Sequence, residues 1–259
     1  MNILDTIVEH KRVEVLERKQ KRPLSSLNSS SFYRRRTNVI SLSQETGKPA
    51  IIAEFKRRSP SRGAIHMEAD PVAVAGAYEA AGVSAMSILT DRNFFGGSLR
   101  DLKQVRESFP GLVLLRKDFI IDPYQLHEAS AYGADMVLLI AAILEGHEVE
   151  ELALEAASLG LSVLFEVHDA GDLEKHHPSI KYVGVNNRDL KTFKVDTVRS
   201  LELIGRMPGG VVPVSESGLS TPEEIGRLSE AGYQLFLMGE AFMREKDPGA
   251  ACSLLMKKL

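Results

Sequence analysis

This chain is short of several things, and each absence narrows what it can be. It has no tryptophan, so no indole side chain can serve as an aromatic platform. Its single cysteine, Cys252, excludes an intrachain disulfide framework and suits a reducing cytosol. Cys252 lies in the apolar run Ala250-Ala-Cys-Ser-Leu-Leu255 and reads as a buried structural thiol. No apolar run approaches the roughly 18 residues of a membrane span. Met1 to Lys21 is broken by Asp5, Glu9, Lys11, Arg12 and Glu14, so it is no signal peptide. There is no G-x-G-x-x-G, no Walker A loop and no internal repeat. Metal signatures are missing too: His176 and His177 are adjacent, and no pair has H-E-x-x-H spacing. His168 shares a strand face with Glu166 and reads as a helix-cap or surface histidine. A net charge of -3 gives no support for wholesale nucleic-acid binding.

What is present is a rhythm. Residues 3–19 carry Ile3, Leu4, Ile7, Val8, Val15 and Leu16 at helical spacing, which predicts an amphipathic helix. Pro23, a Ser-rich stretch and Arg34-Arg35-Arg36 follow. Residues 1–36 carry a charge of +5 and the remainder -8, so this basic segment reads as a solvated face docking on an acidic body. From residue 50 onward apolar runs alternate with capped helical segments. The runs are 50–56, 84–90, 112–117, 135–141, 161–167, 181–186, 211–215 and 234–238. Asp70-Pro71, Ser98, Asp122-Pro123, Asp169, Thr221-Pro222 and Asp247-Pro248 mark helix starts, with Gly133 closing one helix. A helix over about 195–207 follows the sixth run.

Eight such units, with strands apolar on both faces, predict a (β/α)8 TIM barrel. The whole of residues 1–259 reads as one barrel domain, with residues 1–48 an N-terminal helical extension. A doubly wound open sheet is the alternative, but it usually carries a Gly-rich turn after its first strand. Here Phe55-Lys-Arg-Arg-Ser-Pro-Ser61 stands in that place. The eighth unit reaches the end of the sequence, so no second catalytic domain is expected.

The apolar runs stop at polar groups. Alternation along a strand puts Glu54 and Lys56 on the face of Ile52, and Lys117 on that of Leu115. It likewise places Glu166 with Leu164, Asn186 and Arg188 with Gly184, and Glu216 with Val214. Active sites of such barrels lie at the C-terminal strand ends. Any one of these charges could belong to a structural ion pair or turn outward. Their recurrence on non-adjacent strands, with three acids against three bases, points to one pocket. Gly218 and Gly239 follow the seventh and eighth strands, and a short helix at about Glu240 to Met243 comes next. Backbone N–H groups there could hold a phosphate beside Lys56 or Arg188, with the Glu240 side chain turned away from the anion. Two ordinary turn glycines are the alternative.

These same residues resemble the indole-3-glycerol phosphate synthase family. The matching motifs run in order through nearly the whole barrel. They include Ile52-Ala-Glu-Phe-Lys-Arg-Arg-Ser-Pro-Ser61, Phe95-Gly-Gly-Ser98, Leu115-Arg-Lys-Asp-Phe-Ile-Ile-Asp-Pro-Tyr-Gln125, Glu166-Val-His168, Gly184-Val-Asn-Asn-Arg-Asp-Leu190, Ser215-Glu-Ser-Gly218 and Met238-Gly-Glu240. The resemblance implies a cytoplasmic carboxy-lyase of tryptophan biosynthesis with no metal and no organic cofactor. Its partner is a small sugar phosphate, 1-(2-carboxyphenylamino)-1-deoxyribulose 5-phosphate, with neither nucleic acid nor membrane involved. The enzyme would be a monomer or homodimer.

The resemblance makes Lys117, Glu166, Lys56, Glu54, Asn186 and Glu216 catalytic. Lys117 or Lys56 supplies the acid, Glu166 the carboxylate, and Glu54 orients one of the lysines. Ser59, Pro60, Phe119, Arg188 and Ser217 would bind substrate, and Lys56, Gly218, Gly239 and Glu240 would meet its phosphate. Two rivals share the barrel: a phosphoribosylanthranilate isomerase-like enzyme, which uses a Cys on the first strand, and a non-catalytic phosphate-ligand barrel.

Overall fold

The structure, a computed structural model, describes residues 3–42, 48–189 and 192–259. Leu190 of the Asn-Arg-Asp-Leu run and residues 43–47 of the expected extension lie outside the described residues. Helices α1 (Ile3–Lys21) and α2 (Leu24–Leu27) precede the barrel. The barrel strands are β1 (Ala50–Phe55), β2 (Ala85–Leu89), β3 (Leu114–Lys117), β4 (Met136–Ile140), β5 (Ser162–Val167), β6 (Tyr182–Asn186), β7 (Val212–Glu216) and β8 (Leu235–Met238). Each pairs in parallel with its neighbours, and β8 closes the ring onto β1 with Ile52 opposite Leu237.

Strand alternation divides the apolar residues into two cores. Ile52, Leu115, Leu138, Leu164, Val214 and Leu237 fill the barrel interior. Ile51, Ala53, Met86, Val137, Phe165 and Phe236 face outward against the helices. Those helices are α3 (Pro71–Ala80), α4 (Leu99–Ser108), α5 (Pro123–Ala131), α6 (Gly146–Ser158), α7 (Ala170–Leu173), α8 (Val198–Leu203), α9 (Pro222–Glu230), α10 (Glu240–Met243) and α11 (Pro248–Met256). The side chains of Asp70, Ser98, Asp122, Asp169, Thr221 and Asp247 each accept a backbone N–H at the helix start they were expected to cap. Gly133 adopts φ 88° after α5, and a Cβ there would fall 2.4 Å from Cγ of buried Arg106.

Two expectations are corrected. The segment 195–207 is not one helix: α8 spans only Val198–Leu203, with a 3-10 turn over Ile204–Arg206. Val195 instead bridges Arg188 in antiparallel fashion and packs over Gly218. The N-terminal helix is also not merely a solvated face. Ile7 joins the barrel-interior cluster, and Lys11 is fully buried.

The Lys11 ammonium lies 2.7 Å from Glu14, 2.8 Å from Asp91 and 2.9 Å from Asp118. Burial opposes its charge, but these carboxylates together raise its pKa well above the ordinary lysine value. Asp118 in turn accepts from Thr90 at 2.7 Å and from Arg116 at 3.0 Å. The opposing Lys11 and Arg116 charges hold the Asp118 carboxyl far below the carboxylate range, although burial pushes the other way. Arg116 and Arg18 both reach Glu128 at 3.3 Å, which ties α1 to α5. At the opposite end of the barrel, Arg35 of the triple-Arg run and Arg106 both bind the buried Asp135. Removing one partner of a buried ionic cluster leaves uncompensated charge. Lys11→Ala should therefore lower the unfolding free energy by ~3 kcal/mol or more in chemical denaturation. A loss below ~1 kcal/mol would show that the cluster is not a determinant of stability.

Candidate active site

A cavity of about 410 Å³ opens at the C-terminal ends of the strands. Its wall includes all fourteen residues named as candidate site residues from the sequence. The strands deliver the polar ones. β3 ends on Lys117, whose Nζ lies 3.0 Å from Glu166 Oε2 on β5 and 2.6 Å from Glu216 Oε2 on β7. Asn186, at the end of β6, donates from Nδ2 to Glu166 Oε1 at 3.0 Å. Lys56 sits just beyond β1 and lies 2.6 Å from Glu54 Oε1. Of the two lysines that Glu54 was expected to orient, it therefore pairs with Lys56.

Two glycines make room for these carboxylates. A Cβ on Gly184 would lie 2.1 Å from Glu216 Oε1, and one on Gly239 would lie 2.6 Å from Glu54 Oε1. Gly184 has no chemistry of its own, so its importance to the site was hidden in the sequence. Only the register, which sets Gly184 beside Val214 and Asn186 beside Glu216, exposes it.

One flank of the cavity is apolar. Phe119 packs with Phe95 at a ring-centroid distance of 5.9 Å. Ile3, Leu4 and Ile7 of α1 contribute as well, which puts the N-terminal helix into the cavity wall. Phe95 was not singled out as a site residue, although it opens the Phe95-Gly-Gly-Ser98 motif. Ser59 and Pro60 come from a small hairpin pairing Arg58–Ser59 with Gly63–Ala64. The other flank holds Ser217, Gly218, Gly239 and Glu240. The Glu240 carboxylate faces Arg188 at 2.9 Å and Arg62 at 2.9 Å, so it binds two guanidinium groups at the rim.

His168 departs from the reading of a cap or surface residue. Its side chain is only 12% exposed, and Nε2 lies 3.7 Å from Glu166 Oε1. Asp169, not His168, caps α7. His176 and His177 bond to Ile180 O and Ser179 Oγ of their own loop. Among the described residues, no group of three or more His, Cys, Asp or Glu side chains is placed to hold a metal ion. Cys252 is buried in α11, where desolvation pushes its thiol up to about 12.

Comparison with known proteins decides which barrel this is. The family profile described as indole-3-glycerol phosphate synthase matches residues 4–255. The chain belongs to the indole-3-glycerol phosphate synthase family. Curated relatives bearing that name agree over nearly the full length. The Bacteroides thetaiotaomicron protein is 44% identical, covering 100% of this chain and 99% of its own. That of Salinibacter ruber is 45% identical, covering 98% and 95%. That of a Polaromonas species is 42% identical, covering 98% of each. Among solved structures, 3-hexulose-6-phosphate synthase from Salmonella typhimurium aligns with a TM-score of 0.64 at 13% identity, covering 81% of this chain and 98% of that one. A chain of the tryptophan synthase complex from Pyrococcus furiosus aligns at 0.58 and 15% identity, covering 81% and 95%. These two speak to the barrel fold alone.

In this indole-3-glycerol phosphate synthase relative, the two carboxylates around Lys117 are driven apart in acidity. Burial is the largest influence on both and raises both. Glu166 nevertheless ends below its usual value, because Lys117, His168 and the Asn186 hydrogen bond favour its anion. Glu216 is pushed up to about 7, since Lys117 does not offset its desolvation and the nearby Glu166 charge. Its Oε1 is buried without a hydrogen-bond partner among the described residues. Lys117 is held well above the ordinary lysine range: burial lowers it, but Glu166, Glu216 and Glu54 overcome that. The site thus contains a firmly held ammonium, a carboxylate and a carboxyl group that titrates near neutrality.

Because Glu216 binds its proton more tightly folded than unfolded, its own contribution to folding stability falls as pH rises from about 4.5 to about 7 and levels off above. Glu216→Gln removes that dependence. Its melting temperature relative to the unaltered chain should rise between about pH 5 and about pH 8. A difference that stays flat or shrinks over that range would contradict the raised pKa of Glu216.

Proposed function

We propose that this chain is a carboxy-lyase that converts 1-(2-carboxyphenylamino)-1-deoxyribulose 5-phosphate to indole-3-glycerol phosphate. The observation that carries the mechanism is the Lys117 ammonium, half-buried at the cavity between two carboxylates. In the first step the ring carbon bearing the carboxylate attacks the ketone carbon, and negative charge develops on the ketone oxygen. Lys117 stabilises that charge and delivers a proton to the oxygen. Loss of carbon dioxide then restores the benzene ring.

Dehydration follows. The hydroxyl formed in the first step leaves as water with a proton from an ammonium, and Lys56 is the second one in the cavity. A carbon-bound proton goes to a carboxylate as the new ring becomes aromatic. Glu166 suits that role because its anion is favoured. Glu54 keeps Lys56 in place, and Asn186 and Glu216 set the geometry around Glu166 and Lys117. The Phe119 side of the cavity would take the anthranilate ring, with Pro60 and Ser59 beside it. Arg188 would meet the carboxylate or the phosphate, Ser217 would contact the substrate, and Lys56, Gly218, Gly239 and the backbone N–H of Glu240 would meet the phosphate. Glu240 would release Arg188 as the anion arrives.

We read residues 1–259 as one catalytic domain, active in the cytoplasm as a monomer or homodimer, with no nucleic acid or membrane partner. An isomerase-type mechanism lacks its first-strand thiol here, since β1 contains Glu54 and no cysteine.

The test is ultraviolet detection of indole appearance when the purified chain meets the carboxyphenylamino sugar phosphate. Lys117→Ala should lower kcat by about 10³-fold or more, with an unchanged circular dichroism spectrum. Glu166→Gln should also impair turnover, at the dehydration stage. Near-normal turnover of Lys117→Ala would overturn the assignment of the acid.

A further inference from the structure

His168 follows Glu166 by two residues at the end of β5, and alternation turns both side chains to the same side of the strand. Its ring stands between two carboxylates: Nε2 is 3.7 Å from Glu166 Oε1, and Nδ1 is 3.7 Å from Asp172 Oδ2. Neither ring nitrogen has a hydrogen-bond partner among the described residues. A largely buried neutral imidazole with both nitrogens unpaired is costly. A cation in the same place is attracted from both sides.

The surroundings are built to keep it there. Asp172 accepts the backbone N–H of His168 at 2.9 Å, and its own N–H is held by Asp169 at 3.0 Å. Arg199 of α8 is the like charge facing His168. Its guanidinium is engaged by Asn186 O at 3.1 Å and by Asp189 at 3.8 Å. Burial opposes protonation, but the Asp172 and Glu166 carboxylates outweigh burial and Arg199, and raise the imidazole above its ordinary value. On the far side of Glu166, Lys117 occupies Oε2 and Asn186 shares Oε1.

We propose that His168 is a positioning residue, an imidazole held between Asp172 and Glu166, whose cationic form favours the Glu166 anion and keeps it turned toward Lys117. It acts through Glu166 and does not touch the reacting atoms, since it is absent from the cavity wall. The idea rests on the synthase reading only for the use made of Glu166. The placement of charge behind Glu166 can be tested without turnover.

The deciding measurement is carboxyl-carbon NMR titration of the full chain, with the Glu166 signal assigned by its loss in Glu166→Gln. In His168→Gln the Glu166 midpoint should move up by about 1 pH unit, because an opposite charge within reach of a carboxylate has been removed. Asp172→Asn should move it in the same direction by less. The His168 ring midpoint in the unaltered chain should lie above the ordinary value near 6.5 and fall in Glu166→Gln. In the indole assay, the acidic limb of kcat against pH should move up by about 1 unit in His168→Gln, and His168→Lys should move it part of the way back.

A Glu166 midpoint unmoved in His168→Gln would overturn the proposal, as would a His168 midpoint at or below 6.5 in the unaltered chain. If His168→Gln fails to fold, the His168 midpoint in the unaltered chain decides alone. An unaltered chain that makes no indole product would refute the synthase reading and leave the titrations to judge His168 separately.

Discussion

An ammonium half-buried in a ring of parallel strands is tolerable only if carboxylates meet it at hydrogen-bond distance, and Lys117 is met by two. Much else in the upper barrel follows from that demand. Glu166 and Glu216 must approach from strands that are not Lys117's neighbours, which requires a closed ring rather than an open sheet. Their bulk must be accommodated, and Gly184 leaves the volume that Glu216 fills. Two carboxylates against one ammonium leave an excess of negative charge, and Glu216 relieves it by holding its proton up to about pH 7. Glu54 is kept apart by its own lysine, Lys56, in the space that Gly239 leaves open.

The same strand end serves a second purpose on its outer side. Lys117 points into the barrel, while Arg116 and Asp118 on either side of it point away and join Thr90, Glu128 and Lys11. The chemistry and the anchoring of α1 therefore meet back to back across a single peptide plane. At the lower end of the barrel Arg35 and Arg106 meet Asp135, an anchoring cluster of the same kind.

Much of this was legible beforehand. A period of two, combined with strands apolar on both faces, left Glu54, Lys117, Glu166, Asn186 and Glu216 conspicuous at the run ends. Six helix starts were readable because Asp, Ser and Thr caps act locally. What stayed hidden depends on geometry around the ring. Which carboxylate meets which lysine is set by strand register and tilt, which no single run encodes. Lys11 looks like any solvated helix lysine until Asp91 and Asp118 are brought beside it. His168 was masked by the helix start immediately after it, because a residue at such a boundary commonly faces solvent. Val195 was placed at the start of a helix, whereas it bridges Arg188 and packs over Gly218.

The seating of α1 also bears on the order in which the molecule assembles. Arg18 reaches Glu128, a partner 110 positions later, and Lys11 reaches Asp118. Synthesis from the N-terminus makes α1 before any barrel strand, yet the acidic residues that receive it, Asp91, Asp118 and Glu128, are made only as the second and third units appear. Until then its basic face and the Ile3, Leu4 and Ile7 edge have no native counterpart in the barrel. Long loops must close before these contacts give any return, which is the arrangement that slows folding. Helix α1 thus waits for three of the eight units, and the cavity acquires this wall only when that wait ends.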